Sequence, residues 1–88
     1  MKTGWLQDGA AWYWFDGSGA MATGWILDGG AWYYLQPSGT MTIGWLQISG
    51  TWYYFDASGA MATGWKEING QWEMFDDSGA WQYTYLTE

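Results

Sequence analysis

Neither cysteine nor histidine occurs in the sequence, and the only basic residues are two lysines. Without cysteine, no disulfide braces so short a chain and no thiolate holds a metal; without histidine as well, a structural zinc site has lost its usual donors. The same two absences remove the base from nucleophilic catalysis of the Ser-His-Asp or Cys-His kind. Two lysines against nine acidic residues leave a formal charge of −7, which repels nucleic-acid phosphate and anionic membrane surfaces. A cationic or zwitterionic partner suits that charge better, and no nucleic acid is expected. No apolar run approaches the length of a membrane span, so membrane insertion is not expected. Met1-Lys2-Thr3 carries no apolar targeting segment; any signal peptide or catalytic domain is expected outside this sequence. Proline appears once, at Pro37.

Aromatic side chains are abundant: ten Trp, seven Tyr and three Phe. Each buries roughly 150–250 Å² when enclosed, and an 88-residue chain without disulfides needs that area. The rings recur in register. S-G-A-M-A-T-G-W at Ser18 to Trp25 returns unchanged at Ser58 to Trp65 and, with three substitutions, at Ser38 to Trp45, a period of twenty residues. Gly-Trp pairs open at Gly4, Gly24, Gly44 and Gly64, and seven residues after each of their tryptophans stands another: Trp12, Trp32, Trp52 and Trp72. The consensus is G-W-x6-W-Y-Y-F-x2-S-G-x-M-x-T. A period of this length means stacked units, none of which hides its apolar face alone.

Each unit reads as a β-hairpin followed by a loop. In the first, Trp5-Leu6-Gln7 is a short strand, Asp8-Gly9 is expected to supply the positive-φ turn, and Ala11 to Phe15 returns. Asp16-Gly17-Ser18-Gly19 then breaks the chain. In the third and fourth units the turn glycine comes one position later, at Gly50 and Gly70, which suggests tips of differing length or bulge. One hairpin is marginal in water, so the units must bury themselves on each other. The expected architecture is all-β, a β-solenoid of stacked β-hairpins from ~20-residue repeats. The repeats run 3–22, 23–42, 43–62 and 63–82, with 83–88 a capping half-repeat. The last repeat departs from the others: Glu73-Met74 replaces Tyr-Tyr, Trp81 replaces the expected Met, and Thr84-Tyr85 stands at the next Gly-Trp position. Terminal repeats of a stack are commonly atypical.

A paired-carboxylate enzyme needs two acids across a cleft, but Asp8, Asp16, Asp28 and Asp56 fall in turns, where aspartate has a backbone role. Asp76-Asp77-Ser78 offers too few carboxylates for a dedicated calcium loop. Neither catalysis nor a cofactor is expected. Within a returning strand, Trp12 and Trp14, Trp32 and Tyr34, and Trp52 and Tyr54 share a face, with Tyr13, Tyr33 and Tyr53 opposite. The same-face rings suit two uses. They can wall a cage for a quaternary ammonium group, or they can stack as solenoid core, and spacing alone fits both.

The repeat G-W-x6-W-Y-Y-F-x2-S-G-x-M-x-T-G-W resembles the choline-binding, or cell-wall-binding, repeat of pneumococcal surface proteins, autolysins and phage lysins, over residues 3 to 82. The resemblance implies a secreted, extracellular, cell-wall-associated module, non-catalytic, that holds choline or phosphocholine of teichoic acids between consecutive repeats. Carried onto this sequence, it assigns Trp5, Trp12 and Tyr34 to a first site and Trp25, Trp32 and Tyr54 to a second, with Trp32 and Trp52 as alternative closing rings. A third uses Trp45 and Trp52, its outer wall falling on Met74, and a fourth uses Trp65 and Trp72 with Tyr83 or Tyr85. Met21, Met41 and Met61 match the family's Met and suit pocket floors. Similarity to glucan-binding and clostridial toxin repeats keeps a saccharide ligand open, and near-identical copies suit an engineered or purely structural array. Open edges and exposed rings at the solenoid ends make a homodimer a further candidate.

Overall fold

Short alternating segments on either side of a tight turn favour a hairpin, and every repeat folds as one. A computed structural model describes residues 3–85. The hairpins are β1 (Gly4–Asp8) with β2 (Ala11–Phe15), β3 (Gly24–Asp28) with β4 (Ala31–Leu35), β5 (Gly44–Ile48) with β6 (Thr51–Phe55), and β7 (Gly64–Ile68) with β8 (Gln71–Phe75). The last strand, β9 (Trp81–Tyr85), adds antiparallel to β8. Residues 86–88 of the expected capping half-repeat lie outside the described residues.

All four hairpins share one register: Gly4 faces Phe15, Gly24 faces Leu35, Gly44 faces Phe55 and Gly64 faces Phe75. The tips therefore do not differ in length. Asp8 and Asp28 end strands opposite Ala11 and Ala31, and the loops are Gly9-Ala10, Gly29-Gly30, Ser49-Gly50 and Asn69-Gly70. What varies is conformation. Ser49 and Asn69 have φ of 51° and 53° and each precedes a positive-φ glycine, as a type I′ turn requires; in the first loop only Gly9 is positive.

After each hairpin the chain doubles back on itself. Met21, Met41 and Met61 bridge to Phe15, Leu35 and Phe55, and Trp81 takes the same place opposite Phe75. The intervening loop is held by its aspartate. Asp16 Oδ1 accepts from the Ser18 amide and hydroxyl and from the Ala20 amide, and Asp56 and Asp76 repeat the pattern. The serine hydroxyl bond first, then the amides, holds the Asp16 and Asp76 carboxyls below the ordinary aspartate value; for Asp56, burial pushes upward and the Ser58 and Ala60 bonds with the Lys66 charge outweigh it.

The second loop has Gln36 there, and the Ser38 hydroxyl turns to Thr40. Its backbone is unchanged, with the Gln36 amide on the Thr40 carbonyl at 2.8 Å and the Gly39 amide on the Gln36 carbonyl at 2.6 Å. Gln36→Asp is therefore expected to install the missing turn bonds and raise the melting temperature by about 1–3 °C. A depressed carboxylate stabilises only while ionised, so the gain should vanish as pH falls through its lowered value. Thermal melts at pH 7 and in a series descending well below pH 3.8, the ordinary aspartate value, check both parts.

Contacts divide the chain into two units, one ending at Thr42 and the other beginning at Ile43. In the first, Ile26, Leu35 and Met41 form the buried core, with Trp5, Trp12, Trp14 and Tyr33 packed against it. The Met41 amide donates to the Trp12 carbonyl at 2.8 Å, tying the end of the second repeat to the first hairpin. The Met21 side chain lies over Gly39, where a Cβ would collide with its sulfur. In the second unit, Ala62, Ile68 and Phe75 form the core and Tyr54 packs on it; Phe55 is fully buried. The deepest side chains are thus Leu35, Phe55 and Phe75, each contributing about 1.5–3 kcal/mol through burial. None is a tryptophan.

Candidate aromatic cages

Because Trp5 stands opposite Trp14 in the hairpin ladder, Trp12 is its diagonal neighbour, within reach of a large ring. The pair meets nearly at right angles, 6.5 Å between centroids and 81° between planes. The third and second hairpins repeat it: Trp45 and Trp52 are 6.4 Å and 81° apart, and Trp25 and Trp32 are 6.3 Å and 84° apart. Two walls of a corner therefore come from one hairpin, as the Trp-x6-Trp spacing implies.

For the Trp5 corner a third wall comes from the following hairpin. On Trp5 it is Tyr33, 4.9 Å away and tilted 68°, while Asp28 Oδ2 accepts the Trp5 indole N–H at 2.9 Å. Tyr34, the residue expected there, stands across the ladder from Trp25 at 5.2 Å, and Tyr54 likewise from Trp45 at 5.2 Å. The reason is register. Tyr34, directly opposite its own hairpin's Trp25, is already engaged, and Tyr33, one residue earlier, reaches Trp5 of the preceding repeat. Met41 belongs to the core on which Trp5 and Trp12 pack; the Met61 sulfur lies against Gly79.

In the second unit the corner becomes a pocket of about 380 Å³ lined by Trp45, Trp52, Trp81, Glu73 and Thr84. Trp81 closes it at 6.4 Å and 88° from Trp45. Met74, at the expected outer wall, instead pairs across the ladder with Trp65. Trp81 arrives because β9 adds to β8, and its indole N–H donates to Glu73 Oε1 at 2.9 Å; the Thr84 hydroxyl donates to the same oxygen at 2.6 Å. A second pocket of about 440 Å³ is lined by Trp65, Trp72 and Tyr85. Tyr85 and Tyr83 lie 6.0 and 5.9 Å from Trp65, so both candidate tail tyrosines reach it. Sequence reasoning set Tyr33 on the face opposite the cage rings, as packing, and gave Glu73, Trp81 and Thr84 no site role; the Trp and Glu departures in the last repeat were the available signal.

The choline-binding repeat model matches residues 2–43, 24–63 and 42–83. The chain belongs to the choline-binding repeat family. Its fold is shared with solved members. CbpJ from Streptococcus pneumoniae TIGR4 is 43% identical, with a TM-score of 0.89 over 92% of this chain and 28% of that one. The choline-binding domain of Spr1274 from Streptococcus pneumoniae is 40% identical at a TM-score of 0.81, over 93% of this chain and 96% of that domain. A multimodular pneumococcal cell-wall endolysin from phage Cp-1, solved complexed with choline, is 37% identical at a TM-score of 0.72, over 93% of this chain and 25% of that one. No curated protein sequence matches significantly. The array is thus an all-β, hairpin-built solenoid of choline-binding repeats, and it spans little more than a quarter of CbpJ.

Proposed function

We propose that the chain is a non-catalytic binding module that holds the quaternary ammonium of choline or phosphocholine in its aromatic cages, and so anchors a larger secreted protein to teichoic acids of the cell wall. The carrying observation is the corner of half-exposed tryptophans. Trp45, Trp52 and Trp81 expose 38%, 41% and 36% of their surface, while phenylalanine and leucine fill the core. Rings used only as core would not stand open around a cavity. Their mutually perpendicular faces suit a compact cation, which meets the negative face of each ring; a sugar favours one flat platform. The −7 charge suits the ammonium and leaves a phosphate facing solvent.

Choline chloride titrated into the purified chain, against matched sodium chloride, is expected to give a saturable near-ultraviolet circular dichroism change and a higher melting temperature. Mass action sets the scale at about 2.7 kcal/mol for a hundredfold excess over Kd. A response no greater than that to salt overturns the reading, and retention on dextran that choline does not compete would point to saccharide.

A further inference from the structure

Glu73 stands where the earlier repeats carry Tyr13, Tyr33 and Tyr53, and Trp81 where they carry Met21, Met41 and Met61. The two exchanges touch one another. In the first unit the Tyr position delivers a ring to Trp5; in the last repeat it delivers a carboxylate to the Trp45 pocket, and the Met position supplies the replacement ring. Only 6% of Glu73 is exposed, yet it lines the cavity. Trp81 and Thr84 both donate to Oε1. Both donors are neutral groups and both sit on Oε1, so they orient the carboxylate and leave Oε2 its acceptor capacity. Lys66 faces Glu73 across the ladder, but among the described residues no ion pair holds Glu73, and the Lys66 charge bears on Asp56.

We propose that Glu73 makes the Trp45, Trp52 and Trp81 pocket a charge-reading site, one that holds a quaternary ammonium in strong preference to a neutral guest of the same shape. This rests on the cage reading above. Aromatic faces favour a cation modestly but also pack against any apolar group, so rings alone discriminate weakly. A fixed carboxylate largely shielded from water discriminates by sign. Its own desolvation is relieved when a cation enters and is not relieved by an alcohol. Among the described residues, the lining of the Trp65, Trp72 and Tyr85 pocket holds no carboxylate, and this pocket is the internal control.

The test uses the full chain labelled with 5-fluorotryptophan, with the Trp81 and Trp65 fluorine resonances assigned by single Trp→Phe variants. Choline and its neutral carbon analogue 3,3-dimethylbutan-1-ol are titrated into the unsubstituted chain and into Glu73→Gln, which keeps an acceptor for Trp81 and Thr84. At Trp81, choline is expected to outbind the alcohol at least tenfold more strongly than it does at Trp65. Glu73→Gln should weaken choline about tenfold at Trp81 and leave the alcohol and the Trp65 pocket unchanged. Equal weakening of both guests, or choline affinity within twofold of the original, would make Glu73 a scaffold for Trp81 and overturn the proposal. If the variant does not fold, equal preference at the two pockets of the unsubstituted chain overturns it as well. Failure of every tryptophan to respond to choline would sink the cage reading itself, whereas response at Trp65 without response at Trp81 sinks only this one.

Discussion

Phe75→Ala should cost about 3–5 kcal/mol, the range for deleting a buried aromatic side chain where the surroundings cannot collapse. Phe75 is 1% exposed and packs with Ala62, Ile68 and Tyr54. It faces Gly64 in one ladder and Trp81 in the other, so it sits where β7, β8 and β9 share a sheet. Its ring also lies 5.6 Å from Trp45, tilted by only 31°. Removing it therefore leaves a cavity and takes the backing from one wall of the pocket. A whole small domain is stable by roughly 5–15 kcal/mol, so a loss of this size is expected to release the second unit at much lower urea. The measurement is urea unfolding followed by tryptophan fluorescence, with Phe15→Ala, at a half-buried position, as the comparison. In an array whose stability sums over neighbouring repeats, the lost transition should separate from the rest. A cost for Phe75→Ala no larger than that for Phe15→Ala would show that the core of this unit lies elsewhere.

The contrast between phenylalanine as core and tryptophan as wall was only half legible in the sequence. The period of twenty, the hairpins and the Trp-x6-Trp pair followed from local rules, since strand alternation and turn glycines act within one repeat. Which ring of the next hairpin closes each corner did not follow. That depends on how successive hairpins rotate, and strand period says nothing about it; hence Tyr33, not Tyr34, meets Trp5. The turn was misplaced by one residue for a related reason. Asp8-Gly9 is a strong turn signal, but the loop glycines recur one step later relative to the ladder, and pairing of Asp8 with Ala11 decides. Glu73 and Trp81 each stood out as departures from consensus. Their partnership was invisible because it is made by β9 folding back beside β8, bringing together residues eight apart in a way no repeat template describes.

Trp52→Ala is expected to show the opposite separation, with binding lost and the fold kept. Trp52 is 41% exposed and lies in neither buried cluster, so its removal leaves no internal cavity and should lower the melting temperature little. It is nonetheless one of three rings that stand around the pocket, at 6.4 Å from Trp45. A desolvated ring is worth about 2 kcal/mol to a cation, which is roughly thirtyfold in Kd. Opening that side also admits water, which weakens the remaining contacts by raising the local dielectric. The fluorine resonance of Trp81 should therefore need at least thirtyfold more choline to saturate, while the Trp65 resonance titrates as before. The choline-induced rise in melting temperature should shrink by the share of this one pocket, because each site adds its own stabilisation by mass action. If Trp52→Ala instead unfolded the chain, the tryptophans would be core after all. If it folded and bound at Trp81 undiminished, the guest would not lie against this wall, and the corner of perpendicular rings would need another explanation.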